Sequence, residues 1–428
     1  MRSQAAHVKS HGSARHVASR SHAPLSIKRN SHNARNAILV VIVAVLLVGG
    51  AIFGWTHRPV RVEINGELYT TTVGTPLVDL PKQCGISLKP GNLISITGKV
   101  LKANEGNPFS ADVDGKVLDE KQIDSYRIKG EEIIKLSDGT DTTEDFETKE
   151  ETVTPKLQFE GAYGSIAYVA QWGQAGKKEV RTGKVSGETA DGKTILEAQN
   201  VIVKRLNIKP QDGQKLVALT FDDGPNPTYT PKYLDILKAK HAKATFFNLG
   251  QEVAAYPEIS KRCIAEGHQV ASHTNSHKEL TTLSADEVKS EITTAFDTLK
   301  NKAGDTTSVI RPPYGAFTDK TWLLSGGTMT QSILWTIDTN DWRRLGVDAI
   351  VNAATSGVTP GSVILMHDGG GNRDQDVEAL PKIIDKLQSE GYTFVTISEL
   401  MKAGGIDDAI AKGTETMPKD AIWPTEIA

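Results

Sequence analysis

The stretch LTFDDGPNPT, residues 219–228, places two adjacent carboxylates after a short apolar run and before a Gly-Pro turn. Like charges side by side repel, so either Asp222 or Asp223 should be difficult to ionise unless a positive charge lies between them. An unbroken apolar run is typical of a buried strand. The stretch therefore predicts a strand that ends at a polar site, and the chain on either side decides which fold carries that strand.

From Leu216 onward, short apolar runs alternate with amphipathic segments such as TPKYLDILKAKH (230–241) and SADEVKSEITTAFDTLKNKAG (284–304). This alternation predicts βαβ units around a parallel sheet. Six or seven such units fit in this region, fewer than the eight of a complete barrel. We therefore predict an α/β domain over residues 212–403, with an incomplete (β/α) barrel as the first interpretation and a doubly wound open sheet as the second. Either architecture places function in the loops after the strands.

Two histidines follow the third predicted strand, in SHTNSH at residues 272–277. His273 and His277 are four residues apart, which directs both imidazoles to the same side of a helical turn or tight loop. Two imidazoles and one carboxylate form an open set of three ligands for a divalent metal. We therefore expect Asp223, His273 and His277 to hold a metal ion, while Asp222 stays ionised and accepts a proton from water.

Three more polar clusters complete the set. In the first, Arg311 and Tyr314 flank two prolines that fix the backbone, and the other two follow predicted strands. The three clusters are RPPYGAF (311–317) with Arg311 and Tyr314, DTNDW (338–342) with Asp338, Asp341 and Trp342, and ILMHDGGGNR (364–373) with His367. Taken singly, they could be a turn, a helix cap and a satisfied core histidine. Taken together with the first two clusters, they indicate one catalytic site.

These five clusters, in this order and spacing, resemble the five motifs of the polysaccharide deacetylases, which are family 4 of the carbohydrate esterases. The resemblance covers about residues 212–401, and Asn275 departs from it where the family often carries an aromatic residue. The resemblance implies the following roles: Asp222 as catalytic base, held by Arg311; His367 as general acid, tuned by Asp341; Asp223, His273 and His277 as metal ligands; the backbone N–H of Tyr314 as oxyanion donor; Trp342 as a wall of the groove; and Leu365 as lining of the acetyl pocket.

The activity that this resemblance implies is metal-dependent hydrolysis of N-acetyl groups on a polysaccharide. Zn²⁺ is the expected metal and Co²⁺ the alternative. The first candidate substrate is the N-acetylglucosamine of peptidoglycan, because the N-terminal sequence indicates a membrane-anchored protein that meets the cell wall. Chitin-like oligomers, poly-N-acetylglucosamine and O-acetylated xylan need the same chemistry and stay open. A protein of another class, in which this fold only binds wall glycan, is the further alternative.

The N-terminal region is basic and then strongly apolar. Residues 1–62 contain no Asp or Glu, and residues 1–36 read as a disordered basic tail. The uncharged run AILVVIVAVLLVGGAIFGW, residues 37–55, is close to the length of about 20 residues that crosses a bilayer as a helix. A cleaved signal peptide is the alternative. The basic flank predicts a cytoplasmic N-terminus and an extracellular catalytic domain.

The remaining regions carry no catalytic pattern. We predict small β-rich modules over 59–137 and 150–207, an acidic linker over 138–149 and a C-terminal tail over 404–428. Cys84 and Cys263 are far apart, which favours two unpaired thiols. The formal net charge of −3 is too small to indicate a nucleic-acid partner.

Overall fold

A single long helix, α1 (Ser31–Thr56), begins the part of the chain that this computed structural model describes, residues 31–428. Within it, the 20 residues Ala37–Thr56 have a mean hydropathy of 2.9 and no buried side chain. The helix is therefore long and apolar enough to cross a membrane, and it contains the predicted anchor at 37–55. Of the predicted basic tail, residues 31–36 begin this helix and residues 1–30 lie outside the described residues.

The chain divides into two units, with the boundary between Glu144 and Asp145. In the first unit, α1 is followed by β1 (Pro59–Ile64), β2 (Glu67–Thr72), α2 (Leu80–Gln83), β3 (Leu93–Ile94), β4 (Val100–Lys102), β5 (Phe109–Val113), β6 (Lys116–Val117), α3 (Glu120–Ser125), β7 (Ile133–Asp138) and β8 (Thr142–Thr143). Five of these strands form a sheet in the order β2-β1-β7-β5-β6, and β4-β3-β8 form a smaller one.

The hairpin between β1 and β2 shows why the first unit folds as a β module. Its strands pair antiparallel from Pro59↔Thr72 to Ile64↔Glu67. The turn residues Asn65 and Gly66 have φ angles of 49° and 89°. Positive φ at both central residues is what a tight two-residue hairpin turn requires, and Asn-Gly adopts it at little cost. This confirms the hairpin that the sequence predicts.

The second unit contains the remaining strands and helices. They are β9 (Phe146–Val153), β10 (Leu157–Glu160), β11 (Ile166–Gln171), β12 (Gly176–Gly183), β13 (Thr189–Leu196), β14 (Val201–Leu206), β15 (Leu216–Asp222), α4 (Thr230–Ala239), β16 (Thr245–Asn248), α5 (Gly250–Ala255), α6 (Pro257–Ala265), β17 (Gln269–Ser272), α7 (Ala285–Thr298), β18 (Val309–Ile310), α8 (Asp319–Leu324), β19 (Gln331–Ile333), β20 (Ile337–Asp338), α9 (Val347–Thr355), β21 (Val363–His367), α10 (Asp374–Ser389), β22 (Thr393–Val395), α11 (Ile397–Ala403) and α12 (Asp408–Lys412).

A mixed, mainly parallel sheet organises this unit. Its strand order is β10-β14-β11-β19-β18-β17-β16-β15-β21-β20, and β22 pairs with β15. All neighbours from β19 to β20 in this order run parallel. Six of the seven residues of β15 are buried, as expected for a parallel strand covered on both faces. The predicted α/β class is confirmed, whereas the pairing among the described residues does not join the two ends of the sheet into a closed barrel.

Residues 150–207 differ from the separate module that the sequence predicts. Strand β11 pairs antiparallel with β19 and with β14, so three of these strands extend the sheet that contains β15. The other strands, β9, β12 and β13, form a three-stranded sheet of their own. The predicted acidic linker over 138–149 likewise contains β8 and the start of β9. Strands that pair with a partner far along the chain have no local sequence pattern that predicts the pairing. The sequence therefore could not show that these strands join the sheet.

The segment after α11 is also more ordered than a tail. It forms α12, and its last residues run beside β10, where the backbone N–H of Leu157 donates to Glu426 O and that of Ala428 donates to Leu157 O, both at 2.9 Å. Trp423 contacts Trp172 and donates from Nε1 to Leu323 O at 2.9 Å. This segment therefore covers the outer strands of the sheet.

Helices on the sheet enclose the main core. Leu234 and Leu237 of α4 and Ile383 and Ile384 of α10 are fully buried in one cluster with Phe221 of β15. Each such side chain contributes roughly 1.5–3 kcal/mol when it is buried. The core fixes β15, and with it the position of the two carboxylates that follow. Both cysteines, which lie within the described residues, are free thiols, as the sequence favours.

Candidate active site

The five clusters meet at the carboxyl edge of the parallel sheet. Asp222, at the end of β15, pairs in register with His367 at the end of β21. A cleft of about 420 Å³ opens there. Eight of the ten predicted site residues line it, namely Asp222, Asp223, His273, His277, Tyr314, Trp342, Leu365 and His367. The other two, Arg311 and Asp341, are fully buried behind the cleft and hold residues that line it.

Asp223, His273 and His277 form a cluster with one ligand atom each, all within 4.8 Å of one another. Oδ1 of Asp223 lies 3.3 Å from Nε2 of His277 and 3.5 Å from Nε2 of His273. This Oδ1 is buried and finds no hydrogen-bond partner among the described residues. A buried carboxylate oxygen without a donor is costly unless a cation satisfies it. The three side chains therefore fit a divalent metal ion.

The outer nitrogens of both imidazoles are already engaged. Nδ1 of His273 lies 2.8 Å from the carbonyl oxygen of Arg311, to which it donates. Nδ1 of His277 lies 3.2 Å from the hydroxyl oxygen of Tyr314. A proton on Nδ1 leaves a lone pair on Nε2, which is the atom that faces Asp223. Burial lowers the pKa of His273 to about 3, so this imidazole is neutral as a ligand must be.

Four residues in the loops around this cluster have an unusual backbone conformation. Asp223, Thr274, His277 and Tyr314 have positive φ angles of 71°, 69°, 61° and 62°. Such angles are uncommon outside glycine and cost free energy, so they persist only where the surroundings enforce them. The loop at Asp223 packs closely against a glycine, Gly370. A Cβ at Gly370 would stand 2.3 Å from Oδ2 of Asp223, so a larger residue there would displace the carboxylate.

Asp222 is held by a buried arginine. Nη1 of Arg311 donates to Oδ1 of Asp222 at 2.8 Å and to Oγ1 of Thr220 at 2.7 Å, and the guanidinium also donates to the carbonyls of Ile333 and Leu334. Burial raises the pKa of Asp222, and the charge of Arg311 opposes that shift. The hydrogen bond occupies Oδ1 and leaves Oδ2 on the side of His273, whose Nε2 lies 3.8 Å away.

His367 is held by Asp341 at two points. Its Nδ1 donates to Oδ1 of Asp341 at 2.8 Å, and its backbone N–H donates to Oδ2 at 2.7 Å. Burial lowers the pKa of His367, but the hydrogen bond and charge of Asp341 outweigh burial and raise the pKa to about 9. The pKa of Asp341 is held low because the contact with His367 outweighs its own burial. At neutral pH this pair is therefore an imidazolium and a carboxylate.

Several residues that line or support the cleft were missed by the sequence reasoning. Trp335 and Arg373 line the cleft, and Asp338 at its rim carries no assigned role. Nε of Arg373 donates to Gly369 O at 2.7 Å, which fixes the glycine-rich loop. The run of three glycines was the available signal for that loop. Trp335 had no such sequence signal, because it lies in an apolar run that is typical of a strand. Asn275, the one departure from the family pattern, is not among the residues that line the cleft.

Comparison with known proteins relates this region to one family. A family model described as polysaccharide deacetylase matches residues 209–327. A peptidoglycan-N-acetylglucosamine deacetylase of Bacillus cereus is 37% identical over 193 residues, which cover 45% of this chain and 90% of the relative. A chitooligosaccharide deacetylase of a Bradyrhizobium species is 36% identical over 208 residues, 46% of this chain and 95% of the relative.

A solved structure is also similar to this chain in sequence. The peptidoglycan deacetylase PdaC of Bacillus subtilis is 38% identical, with 45% of this chain and 92% of that chain covered and a TM-score of 0.42. The sequence similarity extends over nearly the whole length of the two relatives named above, 90% of one and 95% of the other. The chain therefore belongs to the polysaccharide deacetylase family, and it is an enzyme of that family.

Proposed function

We propose that this enzyme hydrolyses N-acetyl groups of an extracellular glycan, with the N-acetylglucosamine of peptidoglycan as its first substrate. The observation that carries the proposal is the pairing of Asp222 with His367 on neighbouring strands, one held by Arg311 and the other by Asp341. Amide hydrolysis needs a base for the attacking water and an acid for the departing amine, and this arrangement offers one of each in a single cleft.

The metal ligands in this proposal are Asp223, His273 and His277. A divalent cation held there would supply positive charge that polarises the acetyl carbonyl and makes a neighbouring water more acidic. Two imidazoles and one carboxylate suit Zn²⁺, which makes it the first choice, with Co²⁺ as the alternative.

Asp222 is the proposed base. Arg311 fixes its orientation through Oδ1, so Oδ2 is the oxygen that takes the proton from the attacking water. Its position beside the metal ligands matters as much as its basicity, because a general base has to lie within hydrogen-bond distance of the proton it removes. The buried guanidinium also compensates the charge that this carboxylate carries when it is ionised.

His367 is the proposed acid. With Nδ1 bonded to Asp341, Nε2 carries the proton that passes to the leaving amine nitrogen. The backbone N–H of Tyr314 is the proposed donor to the oxyanion. Leu365, which is 3% exposed, would line the acetyl pocket, and Trp342, which is 56% exposed, would form the wall of the groove. The products are acetate and a sugar with a free amine, and no covalent intermediate with the protein is needed.

The N-terminal helix supports a location at the cell membrane. We propose that residues 37–55 form a single-pass anchor, with the basic residues before it in the cytoplasm and both folded units outside. The family domain, proposed at residues 212–403, would then meet acetylated wall glycan. The first unit is proposed as a spacer or wall-binding module.

Mass spectrometry of purified wall fragments and chitin oligomers tests this proposal. The enzyme should remove acetyl groups from the wall fragments, seen as a mass loss for each group, and release acetate. Preference for chitin oligomers would change the substrate but keep the chemistry. Binding of the fragments without acetate release by the metal-loaded protein would overturn the proposal in favour of a wall-binding role.

A further inference from the structure

A short loop outside the five motifs presents an aromatic ring to solvent. Residues 161–164, with the sequence GAYG, connect β10 to β11 in the part of the chain that precedes the family match. The side chain of Tyr163 is 75% exposed, more than Tyr314 at 67% or Trp342 at 56% in the cleft. Exposure of so much apolar area is unfavourable in water, so other contacts must hold the ring in this exposed position.

Two glycines allow the loop to pack closely against β14. A Cβ at Gly161, which has a φ of 86°, would stand 2.3 Å from the carbonyl oxygen of Arg205. A Cβ at Gly164 would stand 2.2 Å from the carbonyl carbon of Leu206. Neither position can accept a side chain without a shift of the backbone. The backbone on both sides of Tyr163 is therefore fixed by close packing on the neighbouring strand.

An arginine supports the ring from one side. The guanidinium of Arg205 lies 4.6 Å from the ring centroid of Tyr163 and 3.8 Å from that of Phe159. Arg205 also forms an ion pair with Asp319, and the hydroxyl of Tyr163 lies 3.5 Å from Oδ1 of the same aspartate. The side chain of Arg205 is only 9% exposed. Cation–π contact and ion pairing thus hold the ring in one place and leave most of its surface to solvent.

This loop lies at the same edge of the sheet as the catalytic cleft. Ile166 pairs with Ile333 at the carboxyl end of β19. Just beyond, the backbone N–H of Leu334 donates to Ser165 O at 2.7 Å, and the carbonyl of Leu334 accepts from Nη2 of the Arg311 that holds the catalytic aspartate. Tyr163 is thus two residues from a backbone contact with Leu334, the residue before Trp335 of the cleft.

A second connection runs through Asp319, the aspartate beside the ring. It follows Tyr314 of the cleft by five residues, so their Cα atoms are at most about 18 Å apart. An oligosaccharide of a few units spans such a distance. The ring therefore stands within reach of a glycan whose acetyl group occupies the cleft.

We propose that Tyr163 is a binding platform for a distal sugar of the same glycan chain. This inference rests on the proposed function, since it assumes that an acetylated glycan occupies the cleft. A pyranose ring has a face of C–H groups, and stacking that face on an exposed aromatic ring removes apolar area from water. Because the ring is already held in place, little side-chain entropy is lost on binding. The platform gives the enzyme a preference for long chains over short ones.

The test measures kcat/KM for acetate release from N-acetylglucosamine oligomers of two to six units. Tyr163→Ala should lower kcat/KM for the longest oligomer by roughly three- to tenfold through KM, and leave the dimer unchanged. Tyr163→Phe keeps the ring and should behave as wild type. Tyr256→Ala removes another tyrosine of the same unit, 39% exposed between α5 and α6, and should have no effect on either substrate.

A binding measurement separates this inference from the proposed function. Titration calorimetry measures the affinity of the hexamer for Asp222→Asn and for the double variant Asp222→Asn/Tyr163→Ala, neither of which should turn the hexamer over. The variant that keeps Tyr163 should bind the hexamer more tightly, by the same factor as expected for kcat/KM. Equal affinities, or an equal loss on dimer and hexamer, would overturn the inference even if wild type releases acetate. Failure of wild type to release acetate from any oligomer or wall fragment would instead overturn the proposed function, while the binding arm still decides on the platform.

Discussion

The hydroxyl oxygen of Tyr314 lies 3.2 Å from Nδ1 of His277, and the two rings meet edge to face with centroids 4.7 Å apart. Three residues earlier, the carbonyl of Arg311 accepts from Nδ1 of His273, and its guanidinium holds Asp222. One RPPY segment thus orients the proposed base and both histidines of the candidate metal cluster. The two prolines between Arg311 and Tyr314 limit the backbone freedom that would loosen this arrangement.

Tyr314→Phe tests whether this hydroxyl sets the tautomer of His277. The variant keeps the ring and the backbone N–H, and it removes only the hydroxyl that lies 3.2 Å from Nδ1 of His277. Loss of such a partner of a metal ligand typically costs 10- to 100-fold in metal affinity, so the dissociation constant for Zn²⁺ should rise by about that factor in competition with a chelator. Trp342→Phe is the matched control, because it alters a cleft aromatic that contacts no ligand. Unchanged Zn²⁺ affinity in Tyr314→Phe would contradict the assigned tautomer.

The pH dependence of turnover should reveal the His367–Asp341 pair. In the proposed mechanism His367 donates a proton, so kcat should fall as the pH rises through the His367 pKa of about 9. In Asp341→Asn the negative charge is gone while burial still disfavours the imidazolium, so this alkaline limb should move to lower pH. A pH–rate profile of both proteins measures the shift. An alkaline limb at the same pH in both proteins would rule out Asp341 as the group that tunes the acid.

The same pKa shift has a consequence for stability. A histidine with a raised folded-state pKa stabilises the fold fully below its unfolded value of about 6.5 and loses that contribution as the pH rises through its folded value. The stabilisation from His367 is therefore full below about pH 6.5, declines as the pH rises above that value and is lost near pH 9. A carboxylate with a depressed pKa, such as Asp341, has the opposite pH dependence, because it stabilises the fold above its unfolded pKa and loses that contribution as the pH falls.

The sequence allowed the location of the candidate site to be predicted better than the pairing of the strands around it. Asp222 and His367 were predicted from strand ends, and parallel neighbours do bring strand ends together. The antiparallel pairing of β11 with β19 joins residues far apart in the chain, and no local pattern encodes such a pairing. The positive φ angles of Asp223 and Tyr314 could not be predicted from the sequence either, since they come from the packing of the loops rather than from the residue types.

The C-terminal segment should stabilise the second unit. Trp423 is half-buried against Trp172 and donates a hydrogen bond to Leu323 O, so Trp423→Ala removes both contacts. We expect a loss of about 2 kcal/mol in the free energy of unfolding, measured by urea titration. The exposed Trp342 serves as control, and its replacement by Ala should change stability by less than about 0.5 kcal/mol. Equal effects of the two substitutions would mean that the segment does not hold the outer strands.

Protease treatment of intact cells tests the proposed topology. An uncleaved helix over residues 37–55 with a cytoplasmic N-terminus should leave both folded units open to protease added outside. Digestion should remove the catalytic unit and leave a small membrane-embedded stub, detected with an N-terminal tag. A soluble mature protein that begins near residue 57 would show that the segment is a cleaved signal peptide instead.

The two adjacent carboxylates provide the sharpest test of the proposed chemistry, because their amide substitutions should fail differently. Asp223→Asn removes a negative ligand from the metal cluster, so metal content and activity should fall together. Asp222→Asn keeps its shape beside Arg311 and lies outside that cluster. It should retain the metal and bind substrate, yet lose activity by roughly 100- to 10,000-fold, as for a lost general base.

Metal content by mass spectrometry, acetate release and oligomer binding are the three measurements for these variants. His367→Ala provides the comparison on the acid side, since it should also retain metal while the alkaline limb of the pH profile disappears. Chelation should abolish acetate release by the wild type, and Zn²⁺ or Co²⁺ should restore it; full activity of a metal-free preparation would contradict the metal site. If Asp222→Asn loses metal as completely as Asp223→Asn, or keeps near-normal turnover, then Asp222 is not the base, and the division of labour between the two carboxylates is wrong.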